Sequence, residues 1–137
     1  MDNNNQSSSH AVFNIKLHIV FVTKYRRKTL TPELLEYLKS AFADCLAAWR
    51  CSLVEFGGEP DHVHLLIEYP PTVELSRLIN SLKGVSSRLI RRDFPELKRR
   101  VWKGKHLWSP SYFAASCGGA PLSIIRQYVE SQRTPGT

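Results

Sequence analysis

Two short strands, joined through Gly57-Gly58-Glu59-Pro60 and enclosed between two stretches of helical periodicity, constrain this chain more than any other feature. Cys51 to Phe56 has strand composition, the Gly-Gly-Glu-Pro run suits a tight connection, and Asp61 to Glu68 is expected to return antiparallel as a hairpin. Before the hairpin, Thr31-Pro32-Glu33 supplies an N-cap, a proline at the first helical position and an acidic first turn. Leu34, Leu35, Leu38, Ala41, Phe42, Cys45, Leu46 and Trp49 follow at helical spacing, which predicts a helix to about Arg50. After it, Pro70-Pro71 closes the strand, and Thr72-Val73-Glu74 opens a second helix with Leu75, Leu78, Ile79, Leu82, Val85, Leu89 and Ile90 on its apolar side and Pro95 beyond its end. Gly84, inside this pattern, marks a bend or a close backbone approach.

The flanks complete the pattern. From Val12 to Val22, Phe13, Ile15, Leu17, Ile19 and Phe21 alternate with Asn14, Lys16 and His18, as in a strand with one face in the core. Ser111 to Cys117 reads as a fourth strand, Gly118-Gly119 as a turn and Pro121 to Gln132 as a last helix. The order β-α-β-β-α-β-α predicts an α+β domain: a ferredoxin-like, RRM-like antiparallel sheet with helices on one face, the other face open to a substrate, and an appended C-terminal helix that carries a tyrosine.

At 137 residues the chain suits one domain, expected over 11–137 behind a disordered polar tail at 1–10. No apolar run approaches the about 20 residues of a membrane span, and the start lacks the features of a secretion signal, so a cytoplasmic protein is expected. Cys45, Cys51 and Cys117 are odd in number and have no C-x-x-C spacing, which argues against a disulfide framework or a zinc ribbon. The net charge of +7 is concentrated: between Lys83 and Lys105 nine basic residues face two acidic ones, and the remainder of the chain cancels. Trp102, Trp108, Tyr112 and Phe113 lie within or just after this segment, and basic charge interleaved with aromatic rings suits single-stranded nucleic acid.

Within the expected third strand, His62 and His64 emerge on one face while Val63, Leu65 and Ile67 point to the other. Two convergent imidazoles suit a divalent metal, although two half-buried strand histidines satisfied by backbone or water fit the same pattern. In the last helix Tyr128 and Gln132 are four apart and share a face, one turn from each other. A tyrosine hydroxyl can act as a nucleophile and a glutamine carbonyl as a metal ligand; a packing aromatic on an amphipathic helix is the alternative. Asp61 either orients a histidine or caps the turn.

Five stretches, Val20-Phe21-Val22-Thr23-Lys24-Tyr25-Arg26-Arg27, Pro60-Asp61-His62-Val63-His64-Leu65-Leu66, Leu82-Lys83-Gly84-Val85-Ser86-Ser87-Arg88, Leu107-Trp108-Ser109-Pro110-Ser111-Tyr112-Phe113 and Tyr128-Val129-Glu130-Ser131-Gln132, together resemble the single-tyrosine HUH transposases, the TnpA-type enzymes of insertion sequences that move as single-stranded DNA. Gly58-Glu59 departs from the family's pattern, where hydrophobic residues are usual, and only five residues follow Gln132. The resemblance implies metal-assisted transesterification through a 5′-phosphotyrosine on Tyr128, with His62, His64 and Gln132 holding Mg²⁺ or Mn²⁺. It also implies a homodimer in which the tyrosine helix of one subunit can complete the other's site, and recognition of DNA hairpins at the element's ends. Lys24, Arg26, Arg27, Lys83 and Arg88 become candidate phosphate contacts, and Trp108 or Tyr112 candidates for base stacking; a surface cation or a core ring fits each of them equally well. A domesticated nickase acting on palindromic repeats would share this site. A non-catalytic nucleic-acid-binding domain of ferredoxin-like type would instead use sheet aromatics, and a simple metal hydrolase lacks a third protein ligand apart from Gln132.

Overall fold

The computed structural model describes residues 14–97, 106–116 and 122–132. The polar tail, the start of the first strand at Val12-Phe13, the basic run Lys98 to Lys105 with Trp102, and the Cys117-Gly118-Gly119 turn lie outside the described residues.

Alternating apolar side chains build β1 (Ile15–Val22), β2 (Ser52–Glu59), β3 (His62–Tyr69) and β4 (Phe113–Ser116), and helical spacing builds α1 (Pro32–Ala48), α2 (Leu75–Asp93) and α3 (Leu122–Ser131). The sheet order is β2-β3-β1-β4, with each neighbouring pair antiparallel. This is the expected split βαβ arrangement: β1 and β3 lie at the centre, and each helical crossover passes over one intervening strand. Thr31 caps α1 as its sequence implies, its hydroxyl accepting from the Leu34 amide at 3.2 Å. α2 begins at Leu75, a little later than the sequence pattern suggested, and runs through Gly84 without a break. A Cβ at Gly84 would meet nothing within 4 Å, so neither a kink nor a close approach accounts for it.

The main core lies between α1, α2 and one sheet face. Leu17, Ile19 and Phe21 of β1 and Val63, Leu65 and Ile67 of β3 meet Leu38, Phe42 and Leu46 of α1 and Leu78, Ile79 and Leu82 of α2. Trp108 belongs to this core. It is 4% exposed, packs beside Phe21 and Phe42, and donates from Nε1 to Ser86 Oγ at 2.9 Å. A ring held there cannot stack on a base, so of the two aromatic candidates only Tyr112, 38% exposed, is at the surface. Trp108→Ala is accordingly expected to cost about 3–5 kcal/mol, seen as a fall in melting temperature, because it opens a cavity and strands the Ser86 hydroxyl.

The second sheet face is not left wholly open. Val20 and Val22 are fully buried beneath Val129 of α3, with Phe113, Ile125 and Tyr128 around them. The last helix thus covers the β1/β4 side of the face on which sequence alternation had placed polar residues.

The hairpin differs from its expected form in one respect. Gly57, Gly58 and Glu59 are not a turn but the end of β2, paired with His64, Val63 and His62; Pro60 and Asp61 alone make the connection. The glycines serve close approach. A Cβ on Gly57 would lie 2.5 Å from His64 Nε2, and one on Gly58 would lie 2.5 Å from the Leu35 side chain.

Candidate active site

The register of β1 with β3 sets Val20 opposite His64 and Val22 opposite His62. Cross-strand partners share a face, so both histidines emerge on the face that α3 partly covers, beside the helix and not beneath the main core. His62 is mostly buried, its side chain 15% exposed, and its Nδ1 lies 2.9 Å from Asp61 Oδ1. This carboxylate holds the ring by one nitrogen and leaves Nε2 as the available donor, the arrangement that favours a ligating imidazole. Asp61 is buried, its other oxygen is 3.5 Å from Arg26 Nε, and its backbone carbonyl accepts from the Thr23 amide at 2.9 Å. Of the two roles the sequence left open for this carboxylate, orienting a histidine is the one its side chain performs.

His64 lies over Gly57 and is exposed on its other side. Burial, followed by the neighbouring His62 and His18, holds its pKa below the ordinary imidazole value, against the opposing pull of Glu55 and Glu59. The ring is therefore neutral at neutral pH with a lone pair to offer. Gly57→Ala would force the ring out of this position. Because His64 can swing toward solvent, the melting temperature should change little, while affinity for Mn²⁺, measured by calorimetry, should fall on the order of 10- to 100-fold.

Tyr128 and Gln132 are brought together at the end of α3 by one short segment. Tyr128 packs on Phe113, with ring centroids 5.5 Å apart, and its hydroxyl lies 2.8 Å from Ser111 Oγ. Burial raises the Tyr128 pKa, and the hydrogen bond with Ser111 opposes that shift. Gln132 Oε1 accepts from both Ser109 Oγ and Ser111 Oγ at 3.1 Å. Its amide nitrogen donates to the Tyr128 carbonyl at 3.4 Å and to Ser131 Oγ at 3.3 Å. The two serines were part of a recognised stretch without an assigned role; their only sequence signal is a pair of hydroxyls flanking Pro110. The described partners of Tyr128 and Gln132 are thus Ser109, Ser111, Ser131 and Phe113, not His62 or His64.

The donor set bears on metal binding. Among the described residues, no group of three or more His, Cys, Asp and Glu side chains stands close enough to hold an ion. His62 and His64 supply two nitrogen donors, and the Gln132 amide would supply an oxygen donor. Its carbonyl has both lone pairs engaged by serine hydroxyls in this chain. Two imidazoles and an amide oxygen fit a divalent cation that keeps further positions for water or phosphate oxygens.

The candidate cations occupy different settings. Lys24 and Arg27 flank the Tyr25 ring, 5.7 and 5.5 Å from its centroid. Tyr25 and Arg26 have φ of 61° and 53°, a left-handed turn that non-glycine residues adopt at a cost of about 1–3 kcal/mol each, and this turn aims Arg26 at Asp61. Arg88 is exposed on α2. Lys83 is not displayed outward: its ammonium donates to the carbonyls of Ser109 at 2.7 Å, Pro110 at 3.1 Å and Ser111 at 3.5 Å, and burial lowers its pKa. A groove of about 410 Å³ between Lys24, Tyr25, Ser109, Ser111 and Gln132 adjoins a second of about 510 Å³ lined by Lys24, Lys83, Ser87, Arg91 and His106. The two share Lys24, Ser109 and Pro110, so a basic track leads to the tyrosine helix.

Residues 11–132 match the family described as IS200-like transposases. The chain belongs to that family. It is 32% identical over 121 residues to the ISDra2 transposase TnpA of Deinococcus radiodurans, covering 88% of this chain and 86% of the relative. It is 30% identical over 128 residues to the transposase for insertion sequence element IS200 of Salmonella typhimurium, covering 93% and 82%. Among solved structures, a candidate transposase from Deinococcus radiodurans R1 is similar at a TM-score of 0.85 and 30% identity, covering 96% of this chain and 99% of the other. A REP-associated tyrosine transposase bound to a REP hairpin shares the fold at a TM-score of 0.56 and 12% identity, covering 92% and 69%. The site of this IS200-like transposase is therefore that of a protein acting on DNA, and no helix among its described residues is long and apolar enough to cross a membrane.

Proposed function

We propose that this IS200-like transposase cleaves and rejoins single-stranded DNA through a covalent tyrosine intermediate. The observation that carries the reading is the joint display of Tyr128 and Gln132 at the end of α3, on the sheet face that also bears His62 and His64. Tyr128 Oη attacks the scissile phosphorus, the bond from phosphorus to the 3′ oxygen breaks, and the phenolic proton is lost as the departing oxygen gains one. The products are a 5′-phosphotyrosine and a free 3′-hydroxyl. A second 3′-hydroxyl then attacks the phosphotyrosine and restores Tyr128, so the bond energy is conserved and no ATP is needed.

His62, His64 and Gln132 would hold Mg²⁺ or Mn²⁺, which when bound supplies positive charge to the scissile phosphate and the departing oxygen. Asp61 keeps His62 in the ligating orientation. For Gln132 to join the histidines it must exchange its serine partners for the metal, within one chain or across a homodimer in which each α3 serves the partner's histidines. Lys24 supplies a phosphate contact within the basic track, with Arg26, Arg27 and Arg88 as further cations outside its lining, and the likeness to a hairpin-bound transposase supports folded DNA ends as the substrate. Such an enzyme works in the compartment that holds the DNA, the cytoplasm.

The test is incubation with labelled single-stranded DNA carrying hairpin ends, in Mn²⁺ or Mg²⁺, followed by denaturing electrophoresis. A metal-dependent protein–DNA adduct is expected. Hairpin binding without any adduct would reduce the protein to a DNA-binding module.

A further inference from the structure

Lys83 lies in the second helix, distant in sequence from the tyrosine, yet its half-buried ammonium is engaged by three successive carbonyls of the Ser109–Ser111 segment. That segment carries the two hydroxyls which hold the groups of α3. Ser109 reaches Gln132 Oε1, and Ser111 reaches both Gln132 Oε1 and the Tyr128 hydroxyl. The same segment is tied to β1 by the Ser109 amide, which donates to the Val22 carbonyl at 2.7 Å, and to the core by Trp108 on Ser86. Ser86 in turn donates to the Lys83 carbonyl at 3.1 Å, so backbone and side chain of Lys83 both belong to this network.

We propose that Lys83 is a positioning residue for Tyr128 and Gln132, acting through Ser109 and Ser111, and is not a DNA-phosphate contact. The carbonyls of Ser109, Pro110 and Ser111 lie outside any helix or strand and converge on one side. An ammonium offers three donors and is the side chain that can gather such a set at a single point. With two ordinary hydrogen bonds and a longer third contact committed to carbonyls, Lys83 has little capacity left for phosphate. Removing it frees the segment that holds the nucleophile, and a displacement of about 1 Å at a reacting group can cost on the order of 100-fold in rate.

The inference rests on Tyr128 as nucleophile, and the experiment separates the two ideas. Lys83→Met keeps the length of the stem and removes the charge. Hairpin DNA affinity is measured across a salt series, and adduct formation at saturating DNA is timed in Mn²⁺. The expected result is a dissociation constant within about threefold of wild type and an unchanged slope of log affinity against log salt, with adduct formation slowed by about tenfold or more. A weaker affinity with a slope smaller by about one would make Lys83 a phosphate contact and overturn the proposal. An unchanged rate would overturn it equally.

Should Lys83→Met fail to fold, Ser111→Ala and Ser109→Ala test the same link: slower adduct formation with an unchanged salt slope supports it, and unaltered rates in both refute it. Where Lys83→Met does fold, the double variant Lys83→Met/Ser111→Ala should be no slower than the worse single variant, because both act through one segment. Strict additivity would show two independent roles and overturn the proposal. Failure of the underlying reading has a different sign, the absence of any Tyr128-dependent adduct in the wild-type protein.

Discussion

Replacing Tyr128 with phenylalanine is expected to abolish the covalent protein–DNA adduct while leaving the protein folded and able to bind hairpin DNA. The change removes one oxygen. The ring keeps its place against Phe113 and the apolar patch of Val20, Val22 and Val129, and the lost hydrogen bond to Ser111 is worth about 1 kcal/mol. A nucleophile has no substitute in a covalent mechanism, so adduct formation should fall by at least about four orders of magnitude at unchanged DNA affinity. Denaturing electrophoresis of labelled DNA gives the first quantity, and a binding titration gives the second. An adduct retained by the phenylalanine variant would remove Tyr128 from the nucleophile's role. Ser111, whose hydroxyl is 2.8 Å away, would then be the residue to map.

His64→Ala is expected to be nearly as severe for cleavage and much milder for everything else. The ring is exposed on one side and its described packing is against Gly57, so the stability change should stay within about 0.5 kcal/mol. Loss of one of two imidazole donors should weaken Mn²⁺ binding by more than about 100-fold, with cleavage falling in parallel and hairpin affinity unchanged. Chelation of the metal in the wild-type protein should reproduce the phenotype. At His64 itself protons should compete with the metal only below the ordinary imidazole range, since partial burial and the neighbouring histidines hold its pKa down. If the variant instead loses hairpin binding, His64 serves the DNA surface or the fold. His64 is the sharper probe of the pair, because His62 also completes the buried network of Asp61 and Arg26.

Much of the architecture was legible because each element carried its own period. The alternation before Val22 and the heptad-like spacing after Thr31 are local properties, and the structure keeps them in β1 and α1. Gly57-Gly58 has the composition of a turn yet pairs within β2, because glycine has two uses that look alike in sequence. It can turn the chain, or it can let another group approach, and only the neighbouring strand shows that His64 occupies the space a Cβ would take. Trp108 stayed open between base stacking and the core for a related reason: an aromatic in a basic segment suits either role until the fold packs it between Phe21 and Phe42.

The candidate site divides along the same line. Alternation along β3 determined that His62 and His64 share a face, and four-residue spacing determined that Tyr128 and Gln132 share another, because strand and helix periods act over a few residues without outside help. Whether these pairs meet, and what holds each one, depended on contacts between residues far apart in the chain. Tertiary structure alone decided that Asp61 takes His62 by its Nδ1, that Val129 seats α3 on the histidine face, and that Ser109 and Ser111 hold Tyr128 and Gln132 with Lys83 behind them. Hydrogen bonds of that kind leave no periodic trace, since their partners are selected by the packing of the sheet and helices and not by distance along the chain.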